Sequence, residues 1–79
     1  MNLLATGYSS YVSTGRVLVL FPFRRYLPLR RLRDEAKKKG LLVDVTGRHA
    51  AKTLIVLDTG HIVASAVRGE TLRKRLESC

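Results

Sequence analysis

Tryptophan is missing from this 79-residue chain, and cysteine, methionine and proline are scarce, with one, one and two residues. The single cysteine, Cys79, is the last residue, so no intramolecular disulfide can form. One thiol of this kind fits a reducing cytoplasm. A chain of this length buries only about 60% of its unfolded surface, so without disulfides its stability margin is thin unless a metal or self-association helps. A metal is not expected. Only His49 and His61 accompany Cys79, and they do not form the closely spaced ligand pairs that a metal site needs. No cofactor motif is present either.

Long apolar runs are also missing. The longest, Val17 to Phe23, is interrupted by Pro22 and is far shorter than the roughly 20 residues of a membrane span. The first ten residues, MNLLATGYSS, lack the basic leader and apolar length of a signal peptide. The expectation is one small soluble domain over residues 1–79, cytoplasmic and without a membrane partner. Catalytic constellations are lacking as well. Asp44, Asp58, His49 and His61 all fall at turns, with no base beside a nucleophile and no paired carboxylates, so an enzyme is not expected.

What the chain does have is positive charge. Fifteen Lys and Arg stand against six Asp and Glu, a net of +9. Nucleic acid is the commonest partner for such a balance. Residues 24–39 carry eight basic and two acidic residues, a local net of +6, while residues 40–67 sum to zero, with Arg48 and Lys52 against Asp44 and Asp58.

The punctuation of the sequence predicts its elements. NLLAT, YVS and RVLVLF read as three strands separated by turns at residues 7–10 and at Thr14-Gly15, the third ended by Pro22. Pro28 suits the first turn of a helix that stops at Gly40, a left-handed cap. Strands LLVDV, TLIVLD and HIVASAV follow, with TGRHAAK as a loop or hairpin tip and Thr59-Gly60 as a turn. GETLRKRLE reads as a short terminal helix with Leu72 and Leu76 inward and Glu70–Lys74 paired outside. The expected fold is α+β: a small, largely antiparallel β-sheet with one central and one C-terminal short helix.

Two strands, Val17–Phe21 and Leu54–Leu57, are apolar on both faces and need cover on both sides. Two short helices are too few to cover a sheet of up to six strands, which favours a homo-oligomer. The alternative is a small barrel closed on itself. On the central helix, Arg30–Asp34–Lys38 and Arg31–Glu35–Lys39 form i,i+4 ladders that make a salt-bridged solvated face. Arg33 and Lys37 have no acid four residues away, and Arg24 and Arg25 precede the helix; these four are additional candidates for phosphate contact.

VTGRHAAKT, residues 45–53, resembles at first a phosphate-binding loop. That motif needs G-x-x-x-x-G-K-[ST] between a strand and a helix. Here the spacing is one short, the second glycine is absent, and a strand follows. The segment instead presents Arg48, His49 and Lys52 beyond the sheet, where a β-ribbon tip can meet a DNA groove or backbone. A small basic RNA-binding protein is the alternative, although its stacking platform would have to come from Tyr8, Tyr11, Phe21, Phe23 and Tyr26.

Several segments together resemble the RemA family of small bacterial regulators of extracellular-matrix genes. They are S-x-x-R at Ser13 to Arg16, PLRRLRDEAKKKG at Pro28 to Gly40, LVDVT at Leu42 to Thr46, and DTGHIVASAVRGETLRKRL at Asp58 to Leu76. The resemblance implies a DNA-binding transcription factor, acting in biofilm and matrix gene control, that assembles into closed rings and holds double-stranded DNA with surface arginines. The family's arginine after S-x-x falls on Arg16. Its T-Y-G-R-R tip places the paired arginines on Arg48 and His49 with a one-residue gap, or on His49 and Ala50 without it. FPFRRYL, between the third strand and the helix, is one residue longer and far more basic than the family's linker. The DNA-binding residues implied are therefore Arg16, Arg48 and His49, with Lys52 as a compensating cation.

Overall fold

The computed structural model describes residues 3–7, 10–22 and 27–78. Among these residues six strands and two α-helices form in the order β1 (Leu3–Gly7), β2 (Ser10–Ser13), β3 (Val17–Pro22), α1 (Leu27–Lys38), β4 (Leu42–Asp44), β5 (Thr53–Leu57), β6 (Ile62–Ser65) and α2 (Gly69–Glu77). A single 3-10 turn, Thr14–Arg16, joins β2 to β3. The fold is α+β, as the residue patterns predict. The strands divide into a two-stranded β1–β2 hairpin and a four-stranded sheet in the order β3-β5-β6-β4.

One pairing departs from the reading of the sequence. β5 is antiparallel to both β3 and β6, but β4 lies on the far side of β6 and runs parallel to it. The 45–52 segment is therefore not the tip of a β4–β5 hairpin. It crosses the end of β6. A strand's own residues fix its existence and its faces, but its partner is chosen by tertiary packing, here the docking of α1 beside β4.

The four-stranded sheet is the middle of three layers. On one side α1 turns Leu29, Leu32 and Ala36 inward, the i, i+3, i+7 stripe of an amphipathic helix, against Leu54, Ile62 and Ala64. On the other side Leu4 of β1, Val12 of β2 and Leu72 and Leu76 of α2 pack against Ile55 and Val63. The period of two is plain along β5: Leu54 and Val56 face α1, Ile55 and Leu57 the opposite layer. The β1–β2 hairpin thus covers the larger sheet, a source of cover that treating all six strands as one sheet leaves out.

The sheet is open at β3 and β4, so no closed barrel forms among the described residues. Leu18 and Val19 of β3 and Val43 of β4 are exposed at these edges. Between Val17 and Val19 the register against β5 slips by one residue, a bulge that leaves Leu18 without an opposite partner. Gly40 ends α1 with φ 72°, in the left-handed conformation expected of a C-terminal cap.

Candidate nucleic-acid interface

The 45–52 loop is shaped by its first three residues and pinned at both ends. Asp44 closes β4, and its Oδ1 accepts from the Thr46 amide at 2.9 Å and the Thr46 hydroxyl at 2.6 Å. This Asx-turn takes the chain out of the sheet. The Thr46 hydroxyl and then its N–H hold the Asp44 carboxyl below the usual carboxylate range; Arg33 and Lys37 add to the lowering and partial burial opposes it. Thr46 is buried, Gly47 takes φ 65°, and His49 N–H closes a turn on Thr46 O at 3.2 Å. At the loop's start Val45 N–H donates to Ala64 O at 2.9 Å, and at its end Lys52 N–H donates to Ser65 O at 2.8 Å. Adjacent β6 carbonyls point to opposite neighbours, so the loop straddles the strand end. Asp44 thus caps the turn and makes no ion pair with Arg48.

Arg48, His49 and Lys52 are all exposed on this loop. His49, Ala50 and Lys52 line a shallow depression of about 330 Å³ with Gly7, Ala66 and Val67. The structure therefore brings these three candidates together at one end of the sheet. Arg16 is not among them. Val17 pairs with Leu57 at one end of β5 and Pro22 with Thr53 at the other, so Arg16 lies roughly 13 Å of strand away. There its guanidinium Nη1 stands 3.4 Å from Asp58 Oδ2, and its carbonyl accepts from Asp58 N–H at 2.8 Å. His61 holds the adjoining turn, its Nδ1 2.8 Å from Thr59 Oγ1.

Of the remaining candidates, Arg33 and Lys37 flank Asp44 in a groove of about 400 Å³ between α1 and β4. Arg24 and Arg25 lie outside the described residues. The helix ladders form only in part. Lys39 reaches Glu35 at 4.0 Å, but Asp34 turns to its neighbour Arg33 at 3.6 Å instead of completing the Arg30–Lys38 rungs.

The acids reveal what the charge count conceals. Asp34, Glu35, Asp58, Glu70 and Glu77 pair with Arg33, Lys39, Arg16, Lys74 and Arg73, and Asp44 is engaged by Thr46. All six acids of the chain are thus committed away from the exposed face of the loop. Among the described residues, Arg48 and Lys52 make no ion pair, and neither does Arg68, which is exposed just beyond β6. Arg68 was not singled out from the sequence, because nothing local connects the residue after HIVASAV with a loop 20 positions earlier. Its signal was only the +2 balance of residues 68–79.

Among the described residues no helix is long and apolar enough to cross a membrane, and no group of three His, Cys, Asp or Glu is placed to hold a metal ion.

These features define a small basic α+β domain that presents unneutralised cations at one end of a sheet. Residues 3–76 match the model of the RemA-like family, described as extracellular matrix regulatory protein A-like, and the chain belongs to this family. It is similar over nearly its whole length to proteins named as regulatory. A Desulfotalea psychrophila protein named "Putative regulatory protein DP2861" is 36% identical over 78 residues, covering 99% of this chain and 69% of that protein. Proteins named "Putative regulatory protein" from Maridesulfovibrio salexigens and Oleidesulfovibrio alaskensis are 36% and 38% identical. They match 98% and 94% of this chain and 88% and 87% of their own length. The chain is a regulatory protein of the RemA-like family.

Proposed function

We propose that this regulator is a cytoplasmic, non-enzymatic transcription factor that works as a homo-oligomer, arranged as a closed ring, and binds duplex DNA mainly through its backbone. The observation that carries the reading is the pair of exposed cations Arg48 and Lys52 on the loop that crosses β6, neither of which makes an ion pair among the described residues. Matrix and biofilm genes are the targets that the family's name suggests. Arg48, Lys52 and His49 are the proposed contacts, and Arg33 and Lys37 stand on the α1 side of the same end. Arg16 belongs to the proposal as a contact at the opposite end. A duplex meeting both ends must run along the strands or touch different subunits.

Phosphate contacts position a protein without reading sequence, so they should weaken specific and random duplexes alike when removed. Each releases condensed counterions, giving a fall of log affinity with log salt of about 0.9 per contact. Arg48→Ala and Lys52→Ala should each flatten that slope, measured by anisotropy of a labelled duplex over a salt series. Unchanged slopes in both would reduce the loop to an ordinary turn. A base-reading Arg48 would instead lose roughly 1–3 kcal/mol on a preferred site alone. Single-stranded RNA is the rival ligand, with the exposed ring of Tyr11 in its favour. Preference for RNA over duplex in direct competition would select it.

A further inference from the structure

The loop and the start of α2 are tied together by buried hydroxyls. Thr53 and Ser65 face each other across β5 and β6, and both are fully buried, as is Thr6. Thr53 Oγ1 donates to Val67 O at 2.8 Å. Ser65 Oγ donates to Thr6 O at 2.7 Å and accepts from Val67 N–H at 3.1 Å. Both polar backbone groups of Val67 are therefore held by side chains in the interior. No buried side-chain nitrogen or oxygen among the described residues lacks a partner. Leaving one of these hydroxyls unpaired would cost about 1–3 kcal/mol, so the network holds its own geometry.

The consequence is positional. Lys52 precedes Thr53 and Arg68 follows Val67, so these two cations flank a single hydrogen bond between residues 14 positions apart. The chain after Arg68 stays against the same site: a Cβ added at Gly69 would lie 3.4 Å from Thr53 Oγ1. Arg68 is exposed, its backbone extended at φ −62° and ψ 142°, and it makes no ion pair among the described residues. Glu70, two positions on, is occupied by Lys74 at 3.6 Å. A guanidinium here is carried on a fixed stretch of backbone and is not neutralised. Its planar fork of donors suits a phosphate.

We infer that Arg68 is a further phosphate-contacting residue, extending the DNA surface from the 45–52 loop across the end of β6 to the start of α2. The inference rests on the DNA reading above and adds to it a residue from a separate segment of the chain.

The test uses the full chain and a random labelled duplex titrated over a salt series. Arg68→Ala should flatten the salt slope by about 0.9 per bound subunit, which is roughly an eightfold loss of affinity at ~0.1 M salt. Its melting temperature should match the wild type, and Arg68→Lys should restore most of the slope. Arg73→Ala, which removes a cation already paired with Glu77 at 3.0 Å, should leave slope and affinity as they were. If Arg68→Ala binds like the wild type while Arg48→Ala or Lys52→Ala binds more weakly, Arg68 is no contact and the DNA reading stands without it. If the wild type shows no salt-dependent duplex binding, both fall together.

Discussion

β3 and β5 are neighbours in one sheet and read alike in sequence, VLVLF against LIVL, yet they have opposite fates. Leu54 and Ile55 of β5 are 0% exposed, whereas Leu18 and Val19 of β3 are 64% and 40% exposed. β5 sits inside the sheet, with α1 on one face and the β1–β2 hairpin and α2 on the other. β3 is an edge strand, and its Leu18 and Val19 stay exposed among the described residues. A strand apolar on both faces thus states a demand for cover without saying what supplies it. In β5 the subunit meets the demand. At Leu18 and Val19 of β3 it is unmet among the described residues, and an uncharged edge strand of six residues is a surface that proteins seldom leave bare. The case for self-association therefore rests on β3, not on apolar strands in general.

The largest expected effect lies in β5. Leu54→Ala or Ile55→Ala should each cost about 2–5 kcal/mol, read from urea or thermal unfolding. In a domain this small either change should lower the melting temperature by about eight degrees or more, taking about 4–8 °C per kcal/mol. A loss under about 1 kcal/mol would mean that β5 is not the core strand of the sheet.

Next is the exposed edge. Leu18→Asp should leave the circular dichroism of the subunit intact while lowering the mass seen by light scattering, because it puts a charge where a neighbouring copy is proposed to pack. An assembly that keeps its full mass would show that β3 is not the covered surface.

The smallest effect is expected where the two strands are joined. The Arg16–Asp58 pair, with side chains 62% and 37% exposed, closes the β3–β5 ladder at 3.4 Å. An exposed pair of this kind contributes roughly 0.2–1 kcal/mol. Arg16→Ala should therefore barely move the melting temperature and instead speed amide exchange at the start of β3. A collapse of the assembly on this substitution would make Arg16 a residue between subunits.

Local signals carried much of the fold. Pro28 and Gly40 bracket α1 to within two residues of its observed span, Leu27–Lys38. The turn at Gly60, with φ 89°, sits between β5 and β6 as the Thr59-Gly60 pair suggests. Both are features that residues impose on their immediate neighbours. Pairing is not. β4 reads as a strand from LLVDV, but its parallel place beside β6 follows from how α1 docks, information spread over 30 residues. The candidate site divides in the same way. Arg48, His49 and Lys52 were visible because they are close in sequence, and Arg16 because its motif was. Arg68 joins the loop only through Thr53 and Val67, and buried hydroxyls leave no pattern in a charge profile.

The crossing of β6 has one more consequence. Because Ala64 and Ser65 hold Val45 and Lys52 from either side, the exposed stretch 47–50 lies between fixed anchors and its length is not set by strand pairing. Doubling a flexible span adds only about 0.6 kcal/mol to the cost of closing it. One residue more or fewer between Thr46 and Lys52 would leave both anchors, and the strands behind them, where they are. A lineage can therefore lengthen, shorten or rewrite this stretch and change what the surface grips without refolding the domain. The loop is the replaceable part of the protein, and the clamp on β6 is what makes replacement inexpensive.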